Sequence, residues 1–282
     1  RDGDALYKHL RQKGFRDEEL VTGGLVAQGG RGHYDRFRGR LLWPIRETNG
    51  DVIGFGARRL FDDDRVEAKY LNTPESPIYK KSHVLYGIDL AQRAIRESGT
   101  AVIVEGYMDV IGPYQCGIAN LVACLGTALS EAHVRTLQRL AKRIVLALDP
   151  DAAGMRATER GIETAQETLD RKAVPVATPN GLIAFESRLE TEIRVLALPD
   201  ERDPDELVLE DPHLWHRLVA EAKPVAEYLF GVVFAEEDLS TASGKRNAVD
   251  RLLPVIAAMG RAVERAHYLQ VLAQRVRVDE RR

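Results

Sequence analysis

The chain has 282 residues, 44% of them apolar, so it can bury a sizeable core, and we expect two or three subdomains. No apolar run approaches the roughly 18 residues that span a bilayer, and no charged-then-apolar leader opens the chain, so we expect a cytoplasmic protein. The net charge of −3 does not by itself indicate a nucleic-acid partner, although residues 31–46 carry five arginines against one aspartate.

The amino-terminal part of the sequence predicts short elements separated by turns. Residues 4–14 predict a helix, because apolar residues recur at helical spacing. Residues 40–60 predict a hairpin, in which Asn49 and Gly50 take the positive φ values of a tight type I′ turn. Residues 61–82 are polar and contain breaking prolines, so they are predicted to be loop.

From about residue 88, short apolar runs alternate with helical segments. The runs are rich in Val, Ile, Leu and Ala and lie at 101–104, 119–125, 144–148 and 193–198. Continuous apolar strands separated by helices predict a parallel sheet covered on both faces, which is an α/β core. Helices are predicted at 107–117, 130–141 with Ser130 as N-cap, and about 153–171. Residues 173–190 interrupt this alternation as an insertion or mobile loop, and a small helical bundle is predicted after about residue 212.

Acidic residues follow three of the four predicted strands. They are Glu105, the pair Asp149 and Asp151, and the segment 200–205. Ligands of an open α/β sheet bind outside the carboxyl ends of its strands, so these side chains are expected to share one edge. Carboxylates gathered there repel one another unless cations neutralise them, and oxygen ligands suit Mg²⁺ or Mn²⁺ better than zinc.

Each acidic residue also has a purely structural alternative. Asp203 precedes a proline and has Glu206 three positions later, as in a helix capping box, so capping explains it as well as metal binding does. Asp109 is equally consistent with a first-turn acid favoured by the helix dipole. For Asp149 and Asp151 the metal hypothesis is favoured, because they end a buried strand.

The cysteines do not indicate a metal site. Cys116 and Cys124 are the only two, both lie in apolar stretches, and no histidine stands at ligand spacing. We therefore expect two buried thiols and no zinc.

The order of the segments resembles a known family. "VIVEGYMDVI" (102–111), "LGTALS" (125–130), "LALDPDAAG" (146–154) and "LPDERDPDELV" (198–208) together resemble the Toprim domain of bacterial replicative primases of the DnaG type. Upstream, "YDRFRGRLLWPI", "VIGFGARRL" and "KYLNTPESPIYKKSHVLYG" are similar to that family's basic amino-terminal subdomain. The resemblance implies a basic mixed α+β subdomain (1–87), a Toprim-type parallel-sheet core (88–212) and a small helical bundle (213–282).

The resemblance also implies site residues. Glu105 would be the catalytic glutamate, and the divalent metal would be bound by Glu105, Asp109, Asp149, Asp151, Asp203 and Asp205. Contacts to template or nucleotide are implied for Arg58, Lys69, Asn72, Lys81 and Lys13. Two positions depart from the family pattern: Pro150 replaces the glycine of an Asp-Gly-Asp step, and Lys13 stands where arginine is commoner.

The function implied is synthesis of RNA primers on single-stranded DNA from NTPs, with release of pyrophosphate, during DNA replication. Mg²⁺ or Mn²⁺, two or more ions, would be required. Arg1 in place of Met leads us to expect a piece of a longer protein that lacks the zinc-binding and helicase-interacting modules. Contacts with the replicative helicase and with single-strand-binding protein are therefore expected through modules missing here. The alternatives are a Toprim nuclease, a topoisomerase-like fragment, and a nucleic-acid-binding module whose "DPD" no longer holds metal.

Overall fold

The computed structural model describes residues 3–30, 32–61, 66–126, 128–148, 152–177, 183–199 and 202–277. Within these ranges the chain forms three regions in order: small antiparallel sheets, a central mostly parallel sheet with flanking helices, and a carboxy-terminal group of helices. The predicted α/β class is confirmed.

The amino-terminal region pairs its elements antiparallel. It contains α1 (Ala5–Gln12), α2 (Asp17–Thr22), the hairpin β1 (Val26–Gly29) and β2 (Gly32–Asp35), and the sheet β3 (Arg40–Arg46), β4 (Val52–Arg59) and β5 (Tyr70–Asn72). The predicted first helix is confirmed, and Gly14 follows it with a φ of 92°. The buried Asp35 carboxylate accepts the N–H groups of Leu6 and Tyr7 at 2.8 Å each, so strand β2 caps the start of α1.

Two expectations in this region are wrong. The 40–60 hairpin forms, but its turn is not type I′, because among the described residues Gly50 has a positive φ of 90° and Asn49 does not. The Asn49 side chain instead accepts the Asp51 N–H at 3.0 Å, which holds a longer loop that ends in a left-handed glycine. Part of the predicted 61–82 loop is the strand β5, which pairs with β4 through Arg58 and Tyr70.

The central region alternates helices and strands. In chain order it contains α3 (Ile88–Ser98), β6 (Thr100–Val104), α4 (Met108–Gln115), β7 (Leu121–Ala123), α5 (Glu131–Gln138), β8 (Arg143–Leu146), α6 (Ala152–Thr168), β9 (Arg171–Ala177), β10 (Ile183–Leu189) and β11 (Glu192–Val195). Strands β11, β8, β6 and β7 pair in that order, all parallel, and β12 (Lys223–Pro224) adds an antiparallel edge beside β11. Residues 101–104 of β6 are all at most 1% exposed, which explains their continuous apolar sequence.

The segment 173–190 was expected to be an insertion or a mobile loop, and its described residues contradict the loop because they form strands. Strands β9 and β10 form an antiparallel hairpin, with pairs running from Arg171 and Leu189 to Ala177 and Ile183. Residues 178–182 lie outside the described residues.

Of the five carboxy-terminal helices, the first two pack into the core of the central region and the last three build a separate small core. They are α7 (Pro204–Glu210), α8 (Pro212–Ala220), α9 (Val225–Glu236), α10 (Ala242–Ala257) and α11 (Ala262–Val276). Phe230, Leu252 and Leu272 are buried together between the last three helices. The Arg251 guanidinium on α10 lies 3.2 Å from the Glu159 carboxylate on α6, which ties these helices to the central region. The predicted helical bundle is confirmed.

Two further observations concern cysteines and membranes. Cys124 is buried as expected, but Cys116 is exposed, because it directly follows the last turn of α4. Neither forms a disulfide. In the described part of the chain, no helix combines the length and apolar character needed to cross a bilayer.

Candidate active site

A cleft of about 1130 Å³ is lined jointly by the amino-terminal sheet and the carboxyl ends of the central strands. Predicted site residues from both sides line it: Arg58, Lys69, Asn72, Lys81, Glu105, Asp109, Asp203 and Asp205. Lys13 does not line this cleft; it is exposed at the carboxyl end of α1. Asp149 and Asp151, with Pro150 between them, lie outside the described residues.

Glu105 lies where β6 ends. It follows the fully buried Val104, and its carbonyl accepts the Leu125 N–H at 3.2 Å, which joins the ends of β6 and β7. Leu125 has a φ of 53°, in the left-handed region that costs a residue other than glycine about 1–2 kcal/mol. Such backbone persists only where its surroundings hold it, and here it lies in the wall of the cleft.

Asp109 has a structural contact as well as a place in the cleft. Its Oδ2 atom accepts the Gly106 N–H at 2.8 Å from within the first turn of α4. This bond fixes the orientation of the carboxylate beside the loop that carries Glu105.

The two described aspartates of the second Asp-Pro-Asp segment begin α7. Asp203 occupies the N-cap position with extended backbone, and Pro204 starts the helix, but the Asp203 side chain makes no capping hydrogen bond. Its exposed carboxylate lines the cleft instead. Asp205 packs so closely on α4 that a Cβ added at Gly112 would lie 2.9 Å from the Asp205 Cβ, which brings α7 against the helix that carries Asp109.

The acidic side of the cleft offers oxygen donors. Glu105, Asp109, Asp203 and Asp205 are all carboxylates, which suits a hard divalent ion such as Mg²⁺ or Mn²⁺ and not a structural zinc. Among the described residues, which leave out Asp149 and Asp151, no three His, Cys, Asp or Glu side chains are close enough to hold a metal ion together. The oxygen donors of these carboxylates suit such an ion, and Asp149 and Asp151 are the further ligands that the sequence predicts.

Tyr107 joins the basic and acidic sides of the cleft. Its hydroxyl donates to Asn72 Oδ1 at 2.8 Å, and its ring stacks on Trp43 with centroids 5.3 Å apart. Burial raises the pKa of Tyr107, so the hydroxyl remains a donor at neutral pH. The ring passes so close to Gly56 that any side chain there would overlap it.

The basic side contains further residues that sequence reasoning missed. Arg36, Tyr70 and Glu75 also line the cleft. Arg36 lies in the arginine-rich stretch noted above, and its Nε atom is buried without a hydrogen-bond partner among the described residues. Tyr70 alternates with Asn72 along "KYLN", the period-two spacing that places both side chains on one face of a strand.

Family models match three successive segments of the chain. Residues 1–92 match the amino-terminal domain of the DNA primase catalytic core, and residues 99–177 match the Toprim domain. Residues 226–281 match a domain described as the DnaB-helicase binding domain of primase. The last match corrects the expectation that a helicase-interacting module is missing here.

Individual relatives agree with these matches. The DNA primase of Mycobacterium tuberculosis H37Rv is 40% identical over 277 residues, which cover 96% of this chain and 40% of that protein. The structure of the RNA polymerase domain of M. tuberculosis primase DnaG is 38% identical, with a TM-score of 0.78, covering 96% of this chain and 82% of that one. A DnaG primase catalytic domain bound to ssDNA is 31% identical, with a TM-score of 0.79, covering 99% and 82%.

The extent of the match defines what the chain corresponds to. It spans about 40% of the length of the curated relatives above, but more than four fifths of the solved catalytic domains. The chain therefore belongs to the family of DnaG-type DNA primases and corresponds to their catalytic core, or RNA polymerase domain, with its Toprim domain.

Proposed function

We propose that this chain synthesises short RNA primers on a single-stranded DNA template from NTPs, with release of pyrophosphate. The observation that carries the proposal is the shared cleft, in which carboxylates of the Toprim region face arginine and lysine side chains of the amino-terminal sheet. A polymerase needs both, since the nucleic acid and the triphosphate are polyanions and the transfer reaction develops further negative charge.

The basic side is proposed to hold the nucleic acid and the nucleotide. Arg58, Lys69 and Lys81 contact phosphates, which positions a strand without reading its sequence. Asn72 is held by the Tyr107 hydroxyl, so its amide N–H₂ group remains available to a nucleotide. Lys13, outside the cleft, is a more distant template contact in this proposal.

The acidic side is proposed to hold divalent ions through Glu105, Asp109, Asp203 and Asp205 together with Asp149 and Asp151. Such ions, when bound, lower the pKa of the attacking 3′-hydroxyl and neutralise charge on the leaving pyrophosphate. Glu105 either accepts the hydroxyl proton or is a ligand, and both roles need its ionised form. Asp109, fixed by the Gly106 N–H, keeps its carboxylate in place before an ion arrives.

A single assay separates the proposal from its alternatives. The protein is incubated with single-stranded template, labelled NTPs and Mn²⁺, and both the RNA and the template are resolved on a denaturing gel. A primase makes new RNA, a Toprim nuclease shortens the template, and a binding module does neither. The Glu105→Gln variant is the matched control, and absence of new RNA from the wild-type chain would overturn the proposal.

We further propose that residues 226–281 contact a DnaB-type replicative helicase. The support is the family-model match together with the separate core of α9, α10 and α11, which presents Val263 with 82% exposure. Binding of the full chain to labelled helicase should weaken in a Val263→Glu variant whose primer synthesis is unchanged, and equal binding would contradict this surface. Contact with single-strand-binding protein remains a prediction. We also propose that the protein acts in the bacterial cytoplasm, because the proposed template and nucleotides are found there.

A further inference from the structure

The first turn of α5 contains a histidine that the site described so far does not use. His133 is 0% exposed and occupies the third helical position after the N-cap Ser130. The Ser130 hydroxyl accepts the backbone N–H of His133 at 3.2 Å, and the backbone N–H of Ser130 donates to the ring atom His133 Nδ1 at 3.3 Å. This is a reciprocal capping box in which histidine takes the place of the usual Glu or Gln.

The capping bond determines where the ring carries its proton. Because Nδ1 accepts from Ser130, the neutral ring is protonated at Nε2, which lies 3.2 Å from the Lys81 carbonyl oxygen and donates to it. Burial lowers the pKa of His133 to about 4, so the ring is neutral at physiological pH. The Ser130 hydroxyl donates to the carbonyl of Ser82, the residue that follows Lys81.

Lys81 is therefore held on both sides of its Cα. Its N–H donates to the Glu75 carboxylate at 2.8 Å, and its carbonyl accepts from His133. Residues 81–83 form a single 3₁₀ turn, with no regular helix or strand of their own to fix them. The Lys81 side chain starts from this turn and lines the cleft.

We propose that His133 is a positioning residue that fixes the Lys81 backbone, so that the Lys81 ammonium stays in the cleft. The inference rests on the proposed function, in which Lys81 contacts the phosphates of template or nucleotide. His133 also joins this turn to the segment between β7 and α5, because Ser130 at the end of that segment bonds the ring and Leu125 and Gly126 within it also line the cleft.

Four variants of the full chain test the role. His133→Leu keeps the bulk of the ring and removes the donor, whereas His133→Gln keeps a donor and is a residue that capping boxes prefer. Lys81→Ala removes the ammonium itself. Leu137→Ala, one helical turn further along α5 and also 0% exposed, is the matched control, since its apolar side chain packs in the central core and cannot donate a hydrogen bond to the turn at 81–83.

The readout is affinity for single-stranded DNA as a function of salt. We expect Lys81→Ala to make the slope of log K against log salt shallower by about 0.7, as for one lost phosphate contact. His133→Leu should also weaken DNA binding, and it should cause no further loss in the Lys81→Ala background. His133→Gln should bind DNA as the wild type does. Wild-type affinity in His133→Leu, full additivity with Lys81→Ala, or an equal loss in Leu137→Ala would overturn the proposal.

Hydrogen exchange of the unliganded protein gives a second test if His133→Leu does not fold. The milder His133→Asn is too short to reach the Lys81 carbonyl, and it should speed exchange of the amides at 83 and 84 while those of β6 stay protected. Unchanged exchange at both amides would refute the role. The primer assay separates failure of the proposed function from failure of the positioning role. If the wild type makes no primers, the proposed function fails. If the wild type makes primers and His133→Leu keeps both primer synthesis and DNA affinity, only the positioning role is refuted.

Discussion

Replacing Gly56 by alanine should damage the cleft through Tyr107. Gly56 lies on β4, opposite Asn72 of β5, and a Cβ built there would overlap the Oη and Cζ atoms of Tyr107 and lie 2.7 Å from its Cε1 atom. A phenol ring stacked on Trp43 has no flexible end that can move aside. The whole ring must therefore shift, and with it the hydroxyl that holds Asn72.

The size of the effect follows from the contacts that shift. The Tyr107–Asn72 hydrogen bond contributes about 0.5–1.5 kcal/mol, and the stacking on Trp43 a similar amount. Inserting a methyl group into a filled space costs about 1–3 kcal/mol, and because these effects overlap we expect about 2–4 kcal/mol less stability. Primer synthesis should fall by about tenfold or more, since a displacement of 1 Å in a positioned group can cost that much.

Urea unfolding and the primer assay measure the two effects. The matched control is Gly231→Ala, because Gly231 lies inside α9 with no atom within 4 Å of an added Cβ. That change should be neutral or stabilise by up to about 1 kcal/mol. In a Tyr107→Ala background the Gly56 substitution should cost little, because the overlapping ring is gone. A Gly56→Ala protein as stable and active as Gly231→Ala would refute the reasoning.

Three further predictions address charge. Glu105→Gln should lower primer synthesis by about 10²-fold or more at an unchanged melting temperature, whereas Glu97→Gln, on the exposed end of α3, should have no effect; activity within a few fold of wild type would remove Glu105 from the site. Arg58→Ala should make the salt slope of single-stranded DNA binding shallower by about 0.7, and Arg93→Ala, which is paired with Glu97 on α3, should leave it unchanged. Because the pKa of His133 is lowered from 6.5 to about 4 in the fold, the unfolded chain binds a proton first as pH falls. About 3 kcal/mol of stability should therefore be present above pH 6.5 and lost towards pH 4. Urea unfolding midpoints measured against pH should show this loss in the wild type, and His133→Gln should lack the contribution of this residue.

The central sheet could be predicted because both of its faces are covered. A strand such as β6 must then be apolar at every position, which is visible without knowing its partners. The turn at 49–50 could not be predicted in the same way. The Asn49 side chain accepts the Asp51 N–H, and this bond selects a different loop from the one that Asn-Gly usually forms. Residues 173–190 were expected to be an insertion or mobile loop because they interrupt the alternation of strands and helices, although their two arms pair with each other.

For the cleft, too, one part could be predicted from the sequence and another could not. It was predictable that Glu105, Asp203 and Asp205 line one cleft, because residues that follow parallel strands of one sheet meet at one edge. The hydrogen bonds that position other residues of the cleft could not be predicted from the sequence. Tyr107 meets Asn72 across 35 residues, and His133 meets Lys81 across 52, separations at which neither period nor motif gives a signal.

The second Asp-Pro-Asp segment shows how a structure separates two meanings of one sequence. A capping aspartate and a metal-binding aspartate share the same pattern, in which an acid with extended backbone precedes a proline. In the fold, the Asp203 backbone follows the capping pattern and Pro204 needs no acceptor at the first helical position, yet the carboxylate bonds no amide of α7. Proline therefore starts the helix without the help of the side chain, and the Asp203 carboxylate remains in the cleft with Glu105 and Asp205.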